Sequence, residues 1–169
     1  MIFAIDPGPQ HSGWIIGDPL DKDNPVRDHE IDMNVDVLRR IENCGPYAQG
    51  GVVIEAFVPW NQRAGHDMVD TCIWIGRFMQ AARHQLGVDP ALLKRRDVCY
   101  YLTGNSQARK AAIRDFMVDR YGPGKEKAIG TKKRGMGPLY GLRVHEFDAL
   151  ALALVYAERL AKPVAGEET

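Results

Sequence analysis

The stretch IFAIDPG, residues 2–8, decides the fold, because four apolar residues in a row lead directly into one carboxylate, Asp6. An unbroken apolar run predicts a strand that is buried on both faces, since a half-exposed strand would alternate. Pro7 and Gly8 then end the strand and turn the chain. Burying an ionised carboxylate is costly without compensation, so we expect Asp6 to face a cation, hydrogen-bond donors or an open cleft.

The residues that follow this strand predict a mixed α/β sheet. Two further strands, at 11–17 and 26–33, follow after short connections and make an antiparallel meander with the first. A short helix with Asn34 as its N-cap should come next. Residues 52–57 then repeat the first pattern, an apolar run ending near the carboxylate Glu55. A strand after a helix indicates a crossover to a parallel neighbour. If that neighbour is the first strand, Glu55 and Asp6 meet at one end of the sheet.

The rest of the chain predicts, in order, a long helix at 66–86, a strand at 97–102, a helix at 107–121, a mobile basic loop at 122–143 and a buried final helix at 145–160. The loop is predicted from its six glycines, two prolines and cluster of lysines. The apolar surface of the long helix is wider than one sheet contact needs, which suits either core packing or a subunit interface. We expect one domain at 1–161 and a flexible tail at 162–169.

Composition and cysteine usage are those of an ordinary folded protein, with 45% hydrophobic and 26% charged residues. No stretch approaches the roughly 20 apolar residues of a membrane span. Cys44, Cys72 and Cys99 are odd in number and widely spaced, so neither a disulfide framework nor a structural zinc site is indicated. The expected location is the reducing cytoplasm.

Charge is unevenly distributed along the chain, although it sums to zero. Residues 1–36 hold eight acids and two bases, a net charge of −6, whereas residues 94–143 hold thirteen bases and four acids, a net charge of +9. This separation suggests a polyanionic partner at one face. Two differently solvated faces explain it equally well on charge alone.

The final helix adds a third carboxylate near the start of an apolar element. His145 and Asp148 are three residues apart, so they share a face in the first turn, where free amides favour a carboxylate. Taken alone, Asp148 is explained as a first-turn acid and His145 as a surface residue. With Asp6 and Glu55, however, three carboxylates would repel one another unless a cation joins them. Divalent ions with oxygen ligands are a recurrent device for phosphodiester hydrolysis.

These residues, in this order, resemble a known family. The D-x-G start, the Glu that ends the fourth strand and the closing H-x-x-D-A-L-A-L-A helix are similar to the RuvC branch of the RNase H-like nucleases, the Holliday junction resolvases. Gly104-Asn105-Ser106-Gln107-Ala108-Arg109-Lys110 resembles the family's G-x-G-x-A-x-K segment, with Ser106 replacing the second glycine. The stretch at 137–141 resembles the bacteriophage and prophage members.

The resemblance implies an RNase H-like α/β fold and a metal-dependent endodeoxyribonuclease that cleaves branched DNA, such as a four-way junction, as a homodimer. It implies that Asp6, Glu55, His145 and Asp148 hold the metal and carry out catalysis. Mg²⁺ is the expected ion, with Mn²⁺ able to substitute because imidazole suits transition metals. The subunit contact is expected on the 66–86 helix. The residues expected to bind DNA are Arg63, Arg109, Lys110, Arg114, Lys125, Lys127, Lys132, Lys133 and Arg134.

Two aromatic residues after Glu55, Phe57 and Trp60, are candidate wedges that enter a junction, or else loop residues that pack on the long helix. Two other functions stay open at this point. One is an RNase H-like nuclease that acts on an RNA–DNA hybrid, a flap or another nucleic-acid structure. The other is a catalytically silent DNA-binding protein of the same fold.

Overall fold

A mixed five-stranded sheet lies at the centre of the described residues, which are 1–45, 48–58, 65–87 and 89–161 of this computed structural model. Its strands are β1 (Ile2–Asp6), β2 (His11–Gly17), β3 (Asp28–Met33), β4 (Val52–Ala56) and β5 (Ala91–Lys94). They lie in the order β3-β2-β1-β4-β5. The β1–β2 and β2–β3 pairs are antiparallel, whereas β1–β4 and β4–β5 are parallel. The predicted meander with added parallel strands is therefore confirmed.

Helices cover both faces of this sheet. They are α1 (Asn34–Asn43), α2 (His66–Leu86), α3 (Arg95–Thr103), α4 (Lys110–Tyr121), α5 (Lys125–Ala128) and α6 (Val144–Ala161). Phe3 and Ile5 of β1 pack against α1 and α2 on one face, whereas Ile2 and Ala4 pack against α3, α4 and α6 on the other. The apolar run of β1 is thus buried on both sides, because neighbouring side chains of a strand point to opposite faces.

The final helix, α6, is the most deeply buried of the described helices. Each residue from Ala149 to Val155 is at most 1% exposed. The alternation of alanine with larger side chains lets α6 lie close to the sheet while α4 packs on its other side. The prediction that a helix apolar on every side must be buried on several sides is confirmed. None of the described helices has both the length and the apolar character that crossing a bilayer requires.

The predicted strand at 97–102 is wrong, because these residues belong to α3 and the fifth strand is the short β5 before it. The segment is rich in residues that favour strands, including Val98 and two tyrosines. In the folded chain Val98, Cys99 and Leu102 turn one helical face into the core. Tertiary packing has therefore overridden local strand propensity.

The segment 122–143 also differs from the predicted loop, since it contains α5 and a two-stranded hairpin, β6 (Gly130–Thr131) and β7 (Gly135–Met136). Ala128 and Leu139 are completely buried and are joined by a backbone hydrogen bond of 2.8 Å from Leu139 N to Ala128 O. The segment is therefore anchored to the core at two points. The helix predicted from residue 107 begins at Lys110, and the predicted tail at 162–169 lies outside the described residues.

Candidate active site

The carboxylates of β1 and β4 lie side by side at one edge of the sheet. Ile5 of β1 is paired with Ile54 of the parallel strand β4, so Asp6 and Glu55 follow at the same level. Alternation along the two strands turns Asp6 and Glu55 to the same face as Ala4 and Val53, which is the face that α6 covers. The strand register therefore brings these two residues together at one end of the sheet, as expected.

The N-terminal end of α6 brings a histidine and a third carboxylate to this edge. His145 Nδ1 donates a hydrogen bond to Asp6 Oδ2 over 2.7 Å. Ligand atoms of Asp6, His145 and Asp148 all lie within 4.8 Å of one another. This hydrogen bond is the main cause that raises the pKa of His145, against the opposing effect of its partial burial. The group can therefore take a cation, and His145 carries its proton toward Asp6.

Gly13 makes this close approach possible. It is paired with Asp6 across the β1–β2 ladder. A Cβ atom at Gly13 would lie 2.5 Å from His145 Cβ and 2.8 Å from the His145 carbonyl carbon, which is inside van der Waals contact. Any larger residue at this position would push the start of α6 away from Asp6, because both clashing groups belong to the helix itself.

Asp148 is held by two cationic side chains. Its carboxylate accepts a hydrogen bond of 2.6 Å from Lys110 Nζ and lies 3.3 Å from Arg95 Nη1, while its side chain is only 4% exposed. Lys110 stands at the start of α4 and was expected near DNA. Arg95 was not among the predicted site residues. It is the middle residue of the Lys-Arg-Arg run at 94–96, and nothing in the sequence distinguishes it from the two bases beside it. Its place on the first turn of α3 depends on where β5 ends.

Glu55 lies beside the close group of three and is not a member of it. Burial raises the pKa of Glu55 to about 8, and the negative charges of Asp6 and Asp148 act in the same direction, while Arg95 and Lys110 oppose them. Without a bound cation, Glu55 therefore carries a proton at neutral pH.

A buried polar cluster holds the turn that follows Asp6. Ser12 Oγ donates to Asn34 Oδ1 over 2.6 Å, and Asn34 Nδ2 donates to the Gly8 carbonyl over 2.9 Å. Asn34 is the first residue of α1 and not its cap, so the predicted N-cap role is wrong. Its side chain instead ties α1 to the β1–β2 turn, which begins directly after Asp6.

A second buried cluster, absent from the sequence predictions, holds the first turn of α6. Glu146 is fully buried, and His29 Nδ1 donates to its carboxylate over 2.5 Å. The backbone N–H of Arg143 donates over 2.8 Å and its Nε over 3.0 Å. Burial alone would raise the pKa of Glu146, but the hydrogen bonds from His29 and Arg143 outweigh it and lower that pKa. His29 is 117 residues away along the chain, so no local pattern could have linked the two.

The predicted DNA-binding side chains that the structure describes are exposed. They are Arg109, Lys110, Arg114, Lys125, Lys127, Lys132, Lys133 and Arg134. Arg114 also lies over the ring of Phe147 at 5.2 Å, and Arg134 lies 3.4 Å from Glu126. Of the two wedge candidates, Phe57 is 41% exposed. Trp60 and Arg63 fall outside the described residues.

Fold and site together define a class, an α/β protein of RNase H-like fold in which carboxylates and a histidine gather at the carboxyl ends of the central parallel strands. Solved structures give a more particular likeness. The chain is similar to Thermus thermophilus RuvC, with 19% identity and a TM-score of 0.62 over 95% of this chain and 96% of that one. It is also similar to T. thermophilus RuvC in complex with a Holliday junction substrate, with 17% identity and a TM-score of 0.62 over 95% of each chain. No protein-family model and no curated protein matches the sequence. The fold is RuvC-like.

Proposed function

We propose that this protein is a metal-dependent endonuclease that cleaves phosphodiester bonds in branched DNA such as a four-way junction. The observation that carries the proposal is the convergence of Asp6, His145 and Asp148 within 4.8 Å, with Glu55 beside them. The RuvC-like fold supports it, since one of the similar structures holds a Holliday junction substrate. A phage or prophage origin stays a prediction from the resemblance.

The donor set fits a divalent metal ion. Three carboxylates are the ligands that Mg²⁺ and Mn²⁺ prefer, and one imidazole favours Mn²⁺ further. The raised pKa of Glu55 supports a metal site as well, because a carboxyl group kept protonated by burial and by its acidic neighbours is one that a cation would ionise. Asp6, Glu55, His145 and Asp148 would hold the metal. When bound, it would activate water and stabilise the leaving oxygen of a phosphodiester.

The cationic side chains around the site would orient the DNA strand. Lys110 and Arg95 now neutralise Asp148. Because Lys110 is 48% exposed, its ammonium group can turn from Asp148 to a phosphate oxygen when the carboxylate takes another cation. The exposed bases of α4 and of the 122–143 segment would hold neighbouring phosphates, which position a duplex without reading its sequence.

Cleavage of a synthetic four-way junction in Mg²⁺ or Mn²⁺ tests the proposal directly. Asp6→Asn and Asp148→Asn should each slow nicking by more than the roughly 10- to 100-fold that loss of an outer-shell metal partner costs. Glu42→Gln is the matched control, because Glu42 is an exposed acid on α1. Wild-type nicking rates in both aspartate variants would show that the metal site is assigned wrongly.

The choice of substrate decides between the proposal and its alternatives. The same protein is offered a four-way junction, a flap, an RNA–DNA hybrid and a linear duplex of one sequence. Preferred cleavage of the hybrid or the flap would transfer the proposal to another RNase H-like nuclease activity. Junction binding without cleavage in any divalent metal would indicate a catalytically silent DNA-binding protein.

One variant distinguishes between the two proposed roles of His145, metal ligand and proton donor or acceptor. His145→Ala is compared with the parent for Mn²⁺ affinity and for single-turnover nicking. Weaker Mn²⁺ binding would assign the imidazole as a ligand. Unchanged Mn²⁺ binding with slow nicking would assign it as a proton donor or acceptor, consistent with the proton that it shares with Asp6.

We also propose a homodimer through α2, which would place two sites on opposite strands of a junction. Ile75, Phe78 and Ala82 turn into the core, while Val69 and Ile73 are 47% and 50% exposed. Cys72 and Gly76 lie on the same exposed stripe. The wide apolar surface of this helix therefore serves the core with one side only. The other side is of the kind that marks a protein contact.

Sedimentation and cross-linking test this contact. Ile73→Lys should shift the mass from dimer to monomer at micromolar concentration, whereas Leu160→Lys, at a residue 63% exposed on α6, should not. A short bismaleimide should link two chains through Cys72, since Cys44 and Cys99 are buried. A monomeric parent protein at micromolar concentration would contradict the dimer.

A further inference from the structure

A cavity of about 680 Å³ lies beside Glu55, between the end of β4, the start of α3 and the turn before α4. Its volume is within the range of about 300 to 1,000 Å³ that small-molecule sites occupy. Glu55 and Arg95 belong both to this cavity and to the group around Asp148. The cavity therefore opens directly beside the candidate metal site.

Two exposed aromatic rings line the cavity. Tyr100 is 65% exposed and Phe57 is 41% exposed, although aromatic side chains of this size usually gain stability by burial. Tyr100 lies on the side of α3 opposite to Val98, Cys99 and Leu102, which are buried in the core, so its ring does not serve the packing of α3. Exposed rings beside the candidate metal site offer a surface on which an unstacked base can lie.

The charged and polar lining agrees with a nucleotide. Three basic residues, Lys94, Arg95 and Arg96, line the wall, against two acids, Glu55 and Asp97. Such an excess favours a phosphate group. Gln107 also lines the cavity, and its backbone N–H donates to Asn105 Oδ1 over 2.9 Å, which holds the turn on which Gln107 lies.

We propose that this cavity is a nucleotide subsite, which takes one unstacked base of the cleaved DNA strand next to the scissile phosphate. The base stacks on Tyr100 and Phe57, the adjoining phosphate meets Arg95, and the side-chain amide of Gln107 contacts the base edge. This inference rests on the proposed nuclease function and adds to it a place for one particular nucleotide. It also predicts that base identity at that nucleotide affects the rate.

Paired substitution in protein and DNA tests the subsite. Each nucleotide within three positions of the cut is replaced in turn by an abasic residue, and single-turnover nicking is measured for the parent, Tyr100→Ala and Tyr100→Phe. At one position the abasic change should slow the parent by about 5- to 150-fold, the usual effect of losing one base stack. Tyr100→Ala should be slow with intact DNA and insensitive to the abasic change at that position. Tyr100→Phe should behave like the parent.

Met33→Ala is the matched control, because Met33 is 54% exposed on β3, away from the cavity. It should retain the full response to the abasic substitution. If Tyr100→Ala responds to every abasic position as the parent does, the subsite is overturned while the nuclease function stands.

A binding measurement keeps the inference testable if cleavage itself fails. The junction carries 2-aminopurine at the position of interest and is titrated with protein without added divalent metal. Quenching by the parent and not by Tyr100→Ala supports the subsite even in a protein that does not cut. Equal fluorescence with both proteins overturns it.

Discussion

Glu55→Gln removes an acid that the fold keeps protonated, and its effect on stability can be worked out from the surroundings of that residue. Burial, together with the charges of Asp6 and Asp148, raises the pKa of Glu55 from 4.5 to about 8. In the unfolded chain the same carboxyl group loses its proton near its ordinary pKa of 4.5. Between these two values the unfolded state releases a proton that the folded state retains. The free energy of unfolding therefore falls as pH rises from about 4.5 to about 8.

The size of this effect follows from the shift. One pKa unit corresponds to about 1.4 kcal/mol, so the ionisable Glu55 lowers the free energy of unfolding by about 1 kcal/mol at pH 5 and about 3 kcal/mol at pH 7. The loss approaches roughly 5 kcal/mol near pH 9. Glutamine has nearly the same shape and cannot ionise. In metal-free protein, Glu55→Gln should therefore be more stable than the parent by these amounts.

Urea unfolding followed by circular dichroism between pH 5 and 9, in the presence of EDTA, measures the difference. Glu42→Gln removes an exposed acid from α1 and is the control for the loss of one negative charge. Its unfolding free energy should differ from that of the parent by no more than about 0.5 kcal/mol, as usual for a surface change. A difference for Glu55→Gln that does not grow with pH would refute the argument that crowded acids and burial hold a proton on Glu55.

Bound Mn²⁺ should make the parent more stable than Glu55→Gln, the reverse of the order without metal. If Glu55 is a ligand, it must ionise when the ion binds, so Mn²⁺ binding to the parent at pH 7 should release about one proton from Glu55. Calorimetric titration in two buffers with different ionisation enthalpies measures that proton. Glu55→Gln should bind Mn²⁺ more weakly and release no proton from this position. Equal proton release by both proteins would remove Glu55 from the ligand set.

Three further substitutions test the frame around the site. Gly13→Ala should weaken Mn²⁺ binding by displacing His145, because its Cβ would lie 2.5 Å from His145 Cβ. Gly76→Ala, with open space around its Cβ, should leave Mn²⁺ binding unchanged. Equal Mn²⁺ affinities of the two variants would show that α6 adapts without cost. Leu150→Ala should lower the free energy of unfolding by about 2–5 kcal/mol in urea titration, since this side chain is fully buried, and a loss below 1 kcal/mol would contradict the packing of α6. Asn34→Ala should cost about 1–3 kcal/mol, because it removes the acceptor of the Ser12 O–H and the side-chain donor to the Gly8 carbonyl; an unchanged midpoint would mean that water replaces the amide.

Local patterns were sufficient for the strands β1 to β4 of the sheet and for the position of its acids. The apolar run of β1 and the matching run of β4 predicted strands buried on both faces, and their carboxylates had to follow at the strand ends. Period and alternation are properties of neighbouring residues, so they can be read without knowing what lies across the sheet. The helical spacing of His145 and Asp148 likewise placed both on one face near the start of α6, although Asp148 lies just beyond the first turn.

Local patterns failed where the choice between helix and strand depended on packing. Residues 97–102 have strand propensity, yet they form α3, because a helix there buries Val98, Cys99 and Leu102 under the sheet. The glycine-rich 122–143 segment was predicted as a mobile loop, yet Ala128 and Leu139 anchor it in the core. In both cases contacts between distant segments outweighed the preference of the residues themselves.

The sequence IFAIDPG alone thus determined that a carboxylate, Asp6, ends a strand buried on both faces. The acids later in the chain determined that other carboxylates would lie near it. Only the tertiary structure decided which groups pair with each of these carboxylates. It placed His145 against Asp6, Lys110 and Arg95 against Asp148, and left Glu55 to hold a proton. The physical reason is that electrostatic and hydrogen-bonding partners are chosen by distance in space, and segments far apart along the chain meet only after the sheet and α6 have packed together.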